Sequence, residues 1–247
     1  MDHDAQPPRI LIGIVTYDGH RYAIGKLLEA IGNLVNPLGS PRTTVIFADN
    51  SPTDDYKQFL ESKGFEVLKD SVDGTRIDRI IRGRNHLRDV CLERGYDYLF
   101  FLDTDVIPPK DTLPRLLYRE KEVITGIYLG AMTFGSVTEI LPVLYAPLPD
   151  GRVRTMRVAE VMEDKLIPIA AAGLGCCLIH QNVLKKLRFH NIAASVTGGE
   201  DAAFFKDVIS LGIMPCADTS IKCFHMSYPE GDRRNEPYKF ERYRKML

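Results

Sequence analysis

The feature that most constrains this chain is the segment at 98–105, YLFFLDTD, an apolar run that stops at two aspartates flanking Thr104. A short continuous apolar run is the pattern of a strand buried on both faces of a parallel sheet. Such a strand delivers its last side chains at its carboxyl end, where open α/β sheets keep their ligand crevice. Asp103 and Asp105 have no Lys or Arg beside them in sequence, so in a crevice they would repel unless a cation sat between them. Hard oxygen ligands of this type call for Mg²⁺ or Mn²⁺, commonly shared with phosphate oxygens. The same pair also fits solvated loop aspartates that cap the following turn.

Composition limits the partners. The 32 basic and 33 acidic residues leave a net charge of −1, so no overall field draws the chain to nucleic acid or an anionic membrane. A hydrophobic content of 45% in 247 residues is enough for a sizeable core. The five cysteines (Cys91, Cys176, Cys177, Cys216 and Cys223) contain no C-x-x-C pair and read as reduced core thiols of a cytoplasmic protein. A zinc set of Cys216, Cys223 and His225 lacks a fourth ligand. The N-terminal MDHDAQPPR has no signal-peptide character, and no apolar stretch approaches the roughly 18 residues of a membrane span.

The first half alternates strand and helix patterns. Strands are expected at 10–15, 44–48, 65–68 and 98–102, and helices where Ile24, Leu27, Leu28 and Ile31 recur, at 54–63, and from Ile77 to Cys91 before Gly95. That alternation predicts a doubly wound, mostly parallel α/β sheet. The second half is less regular. It predicts a strand at 123–129, a hairpin of 143–146 and 153–158 around Pro149-Asp150-Gly151, an apolar run at 166–179 broken by Gly173 and Gly175, a helix at 201–211 and a late strand at 221–224. The stretch 130–168 otherwise carries no physical reading.

Four further sites combine a chemical and a structural reading. Asp49-Asn50-Ser51 closes the second strand, where a carboxylate can accept from a base or ribose hydroxyl; the same residues suit a turn or a helix cap. Glu200 and Asp201 open a helix, whose N-terminus favours an anion and so a general base, or simply an N-cap. His225 ends an apolar stretch and becomes a Mn²⁺ ligand only if the fold brings it to the aspartates. Arg84-Asn85 lies inside a helix, where Arg can clamp a carboxylate or phosphate or face solvent. The tail at 233–247 holds six basic residues among Tyr238, Phe240 and Tyr243. It suits folding over a diphosphate, peripheral contact with an anionic membrane, or an ordinary solvated helix.

Taken in order, an Asp after the second strand, Arg-Asn, D-x-D, Glu-Asp and a late His resemble the nucleotide-sugar glycosyltransferases of the GT-A fold, particularly inverting family 2. The resemblance covers about 9–228 and is most specific from Arg84 to Asp105, with Gly83 where the family has alanine. It implies one Rossmann-like GT-A domain over 1–247, with a nucleotide-binding half (about 9–107), an acceptor half with a smaller mixed subsheet (about 108–228) and a tail (229–247). It implies a UDP- or GDP-sugar donor and a glycan, lipid-linked or small-molecule acceptor. Thr16, Tyr17, Asp49, Asn50, Arg84, Asn85, Asp103 and Thr104 would be on the donor side. Gly173, in a stretch similar to the family's glycine-rich strand, and Glu200 would be on the acceptor side. Asp103, Asp105 and His225 would hold Mn²⁺ or Mg²⁺, and Asp201 would be the general base. The family's Q-x-x-R-W motif is absent, which argues against a processive synthase.

Two other classes compete. A haloacid-dehalogenase-type phosphohydrolase would use Asp103 as nucleophile, but three strand patterns precede the motif and Ile107 stands where Thr or Val is usual. A non-catalytic nucleotide- or glycan-binding domain would not need all the carboxylates kept here.

Overall fold

Each apolar run of the first half becomes a strand and each 3.6-period stretch a helix. In the computed structural model, which describes residues 6–35, 42–192 and 199–244, the chain runs β1 (Arg9–Thr16), α1 (Ile24–Val35), β2 (Arg42–Asp49), α2 (Asp55–Ser62), β3 (Glu66–Lys69), α3 (Arg76–Glu93) and β4 (Tyr98–Leu102). It continues with β5 (Val106–Ile107), α4 (Thr112–Tyr118), β6 (Val123–Ile127), β7 (Leu129–Phe134), β8 (Val137–Pro142), β9 (Leu144–Pro147) and β10 (Val153–Thr155). Then come β11 (Leu166–Pro168), β12 (Ala171–Ala172), β13 (Cys176–His180), α5 (Gln181–Leu184), α6 (Glu200–Ser210), β14 (Cys216–Lys222), β15 (Phe224–His225) and α7 (Phe240–Arg244).

The main sheet has eight strands in the order β11-β14-β6-β13-β4-β1-β2-β3. Strands β3, β2, β1, β4, β6 and β14 point the same way, and β13 and β11 run against them. Helices cover both faces. Helical spacing in α1 brings Leu27, Ile31 and Leu34 together with Tyr56 and Leu60 of α2 and Leu113 and Leu116 of α4 in one apolar layer, against Ile10, Ile12 and Ile14 of β1. Leu87, Val90 and Cys91 of α3, Val183 of α5 and Phe204, Phe205 and Val208 of α6 fill the other, against Leu11, Leu99 and Phe101. Each such Leu, Ile or Phe contributes about 1.5–3 kcal/mol by leaving water. This is the doubly wound α/β architecture expected, with the smaller sheets β10-β9-β12, β7-β8 and β15-β5 added, built mostly from the second half of the chain.

The departures lie in the second half. The strand expected at 123–129 ends at Ile127, and the chain turns through Tyr128 into the β7–β8 hairpin, whose turn includes Gly135 at φ 61°. The predicted hairpin exists as β9 and β10, but its second arm stops at Thr155 and Val158–Val161 forms a 3-10 turn. The late strand starts at Cys216, ahead of the expected Ile221. Over its described residues the tail is docked, not a solvated helix: Asn235, Tyr238 and Phe240 are buried, and the Tyr238 and His225 rings meet edge-on at 5.7 Å. Among the described residues no helix is long and apolar enough to cross a membrane.

Candidate active site

β1 pairs with β2 on one side and β4 on the other, so the strand order reverses at β1 and opens a crevice beyond the strands' carboxyl ends. A cleft of about 450 Å³ lies there, and its lining includes Thr16, Tyr17 and Asn50 beside Asp103, Thr104 and Asp105, with Arg84, Glu200, Asp201 and His225. Local structure explains each placement. β1 and β4 end side by side, and the Thr104 hydroxyl donates to the Thr16 hydroxyl at 3.0 Å, joining the two strand ends. β5 and β15 pair antiparallel with His225 opposite Val106, and Met226 N–H donates to the Asp105 carbonyl at 2.7 Å, which sets His225 beside Asp105. Helix α3 begins in a Thr75–Asp78 capping box and lies close to β1. A Cβ on Gly83 would stand 3.0 Å from Val15 Cγ1, which accounts for glycine where the resemblance has alanine.

Arg84 is the hub. Only 4% of its side chain is exposed, and its guanidinium lies 3.4 Å from Glu200 and 3.6 Å from both Asp103 and Asp201, with its carbon 5.0 Å from the Phe101 ring centre. Burial alone would lower its pKa, but Asp201, Asp103 and Glu200 together raise it. Asp103 thus faces Arg84, and Asp105 faces His225. Burial holds Asp103 above its ordinary value despite Arg84.

Asp105 Oδ2 lies 3.4 Å from His225 Nε2 and accepts from the Tyr22 hydroxyl at 3.4 Å. Burial works to raise Asp105, but the hydrogen bond and charge of His225, helped by His20, hold it low. His225 is raised in turn, because Asp105 outweighs the effect of burial. Its Nδ1–H donates to the Leu129 carbonyl at 2.8 Å, which in the neutral ring leaves the Nε2 lone pair pointing toward Asp105. An imidazole oriented by a carbonyl, with a carboxylate beside its free nitrogen, fits a two-ligand divalent cation site. Among the described residues no group of three or more His, Cys, Asp or Glu side chains is placed to hold a metal, so a cation here would keep positions open for phosphate oxygens and water, as Mg²⁺ prefers.

Asp201 sits in the first turn of α6. Its Oδ2 accepts from Leu174 N–H at 3.4 Å, whereas Oδ1 is buried without a hydrogen-bond partner among the described residues. Burial first, then the charges of Glu200 and Asp103, push it up to about 8 against the pull of Arg84. The helix N-terminus, expected to keep this carboxylate ionised, is outweighed by burial. A third of the side chain, 33%, still faces the cleft, so a bound molecule reaches it directly.

Three sequence-derived residues sit elsewhere. Asp49 is fully buried, and its carboxylate accepts from Ser51 N–H at 3.0 Å and Lys69 Nζ at 2.9 Å. Ser51 Oγ in turn accepts from Asp18 N–H at 2.8 Å, so Asp49 braces the loop that carries Tyr17. Asn85 clamps the Phe189 backbone, donating to its carbonyl at 2.8 Å and accepting from its N–H at 2.9 Å. Gly173 lies under Tyr128, whose hydroxyl would be 1.9 Å from a Cβ there. Replacing Gly173 by alanine is expected to destabilise the fold by about 1–3 kcal/mol through overpacking, seen as a lower urea midpoint at unchanged slope.

Sequence reading missed His20, Arg76, Arg79 and Tyr128, which also line the cleft. Arg76 and Arg79 open α3 just after its cap, a position from which a basic pair at helical spacing was readable. His20 and Tyr128 carry no local signal.

No protein-family model and no curated protein sequence matches this chain. Solved structures do. GalNAc-T7, solved with UDP, GalNAc and Mn²⁺, aligns at TM-score 0.59 and 13% identity over 95% of this chain and 47% of its own. S. aureus TarS 1–349 in complex with UDP-GlcNAc aligns at TM-score 0.54 and 14% identity over 94% of this chain and 62% of its own. The chain has the GT-A fold. The GT-A chain thus spans between about half and three-fifths of those solved chains, and at such identities the likeness concerns architecture, not activity.

Proposed function

We propose that this GT-A chain is a glycosyltransferase that moves a sugar from a nucleoside diphosphate to an acceptor hydroxyl with inversion. The observation that carries the reading is Asp201, a carboxylate with a third of its side chain exposed in the same cleft as the Asp105–His225 pair. Tyr17 and Asn50 flank the base and ribose, with Thr16 and Thr104 fixing the strand ends beneath them and Asp49 acting through the loop it braces. Asp103, set by Arg84, faces the sugar. A divalent cation, held by Asp105 and His225, would neutralise the diphosphate leaving group. Asp201 takes the proton of the acceptor hydroxyl as that oxygen attacks the anomeric carbon, and a single displacement inverts the configuration. Glu200 holds Arg84 from the far side and keeps the hub fixed on the acceptor side of the cleft. UDP and UDP-GlcNAc in the complexes of the neighbours make uridine the first base to try, and five buried free cysteines support a cytoplasmic setting. No observation favours the phosphohydrolase or the non-catalytic reading.

The test is calorimetric titration of UDP and GDP, with and without Mn²⁺, on the native chain and on Asp105→Ala. Binding that needs Mn²⁺ and weakens by at least about tenfold in the variant is the expected result. Failure of both nucleotides to bind the native chain would remove the reading.

A further inference from the structure

Tyr128 lies between β6 and β7, is 7% exposed and lines the cleft. Its hydroxyl accepts from Gly175 N–H at 3.3 Å, and among the described residues it donates to nothing. A buried hydroxyl with an undonated proton is a polar group awaiting a partner. The phenol keeps that proton, because burial and then the charges of Asp103 and Asp201 raise it well above its ordinary value.

The surroundings are built for this side chain. A Cβ on Gly173 would collide with the hydroxyl at 1.9 Å, and one on Gly175 would stand 3.0 Å from it and 2.7 Å from Asp103 Oδ2. The glycine stretch therefore makes a floor on which a neutral donor and a carboxylate acceptor sit together. The ring edge meets His225 at 5.5 Å, which fixes its tilt. A phenol donor beside a carboxylate acceptor matches a sugar hydroxyl, which must accept one hydrogen bond and donate another; a phosphate oxygen needs donors alone and would be repelled by Asp103.

We infer that Tyr128 binds the transferred sugar, its hydroxyl donating to a sugar hydroxyl that in turn donates to Asp103. The inference rests on the glycosyltransferase reading and adds to it the residue that separates a nucleotide sugar from a bare nucleotide. Loss of one neutral hydrogen bond costs a few-fold to about tenfold in affinity.

The experiment compares UDP with UDP-GlcNAc and UDP-glucose, and GDP with GDP-mannose, each with Mn²⁺, on the native chain and on Tyr128→Phe. The native chain is expected to bind one sugar nucleotide more tightly than its bare diphosphate. Tyr128→Phe is expected to bind that diphosphate normally and to lose most of the sugar's increment. Three results overturn the inference: the variant keeps the full increment, it loses diphosphate and sugar nucleotide equally, or no sugar in the panel adds affinity to the native chain. A native chain that binds neither diphosphate instead sinks the underlying transferase reading, and Tyr128 with it.

Discussion

Replacing Asp201 by asparagine is expected to lower kcat by about 10²–10⁴, the usual contribution of a positioned general base. Asparagine keeps the shape and the contact with Leu174 N–H, so nucleotide affinity is expected to stay within about twofold, the pattern of an interaction made only in the transition state. The carboxylate lies 3.6 Å from Arg84 through Oδ1, and a third of the side chain stays exposed in the cleft. The pH dependence follows from its raised pKa. Protonated Asp201 cannot accept a proton, and the group is pushed up to about 8 in the free chain. The profile of kcat/KM reports the free enzyme, so it is expected to climb as pH rises through about 8. Native-like turnover in Asp201→Asn would show that another group is the base.

The second large effect concerns Arg84. Its replacement by methionine leaves Asp103, Glu200 and Asp201 around one apolar side chain, and breaking a buried ionic group in this way costs about 3–5 kcal/mol. For a chain of this size that lowers the thermal midpoint by about 2–4 °C per kcal/mol. The deficit carries a sign in pH. Without the guanidinium the remaining carboxylates titrate higher in the folded state than in the unfolded chain, so the folded state binds more protons. The stability this gives is fully present below the unfolded carboxylate pKa near 4 and is lost as pH rises through the raised folded values. Chemical denaturation of Arg84→Met is therefore expected to differ least from native near pH 4 and most above pH 8. A deficit independent of pH would mean that lost packing on Phe101, and not the carboxylates, sets the cost.

What can be read in advance follows from the range of the interactions involved. The runs that become β1, β4 and α3 are local patterns, apolar on both faces or every third and fourth residue, and they need no partner to be legible. The hairpin β7–β8 has half its residues facing solvent, with Phe134 and Val137 at 51% and 56% exposure, so its apolar pattern does not mark a buried strand; its Gly-Ser turn is the one local signal it carries. Asp103 and Asp105 are legible as a charged pair at a strand end. Which cation each one faces depends on how α3 packs back along the sheet and on β15, which follows more than a hundred positions later. Asp49 shows the same limit, because the cation that pairs with it is Lys69 on the neighbouring strand, twenty positions on. Tyr128 is invisible since its meaning comes from two glycines more than forty positions further on.

The short β5–β15 ladder also has a bearing on how the molecule is made. During synthesis Asp105 emerges early, and most of the strands that flank it can pair before β15 has left the ribosome. The nascent chain then holds a nearly finished sheet with a cleft whose histidine has not arrived. Closing a loop that long costs entropy that grows slowly with its length and slows the search more than it weakens the product. The pairing of His225 with Asp105 should therefore be among the last contacts this chain makes, and a stalled or C-terminally clipped product would have most of the architecture while lacking that pair.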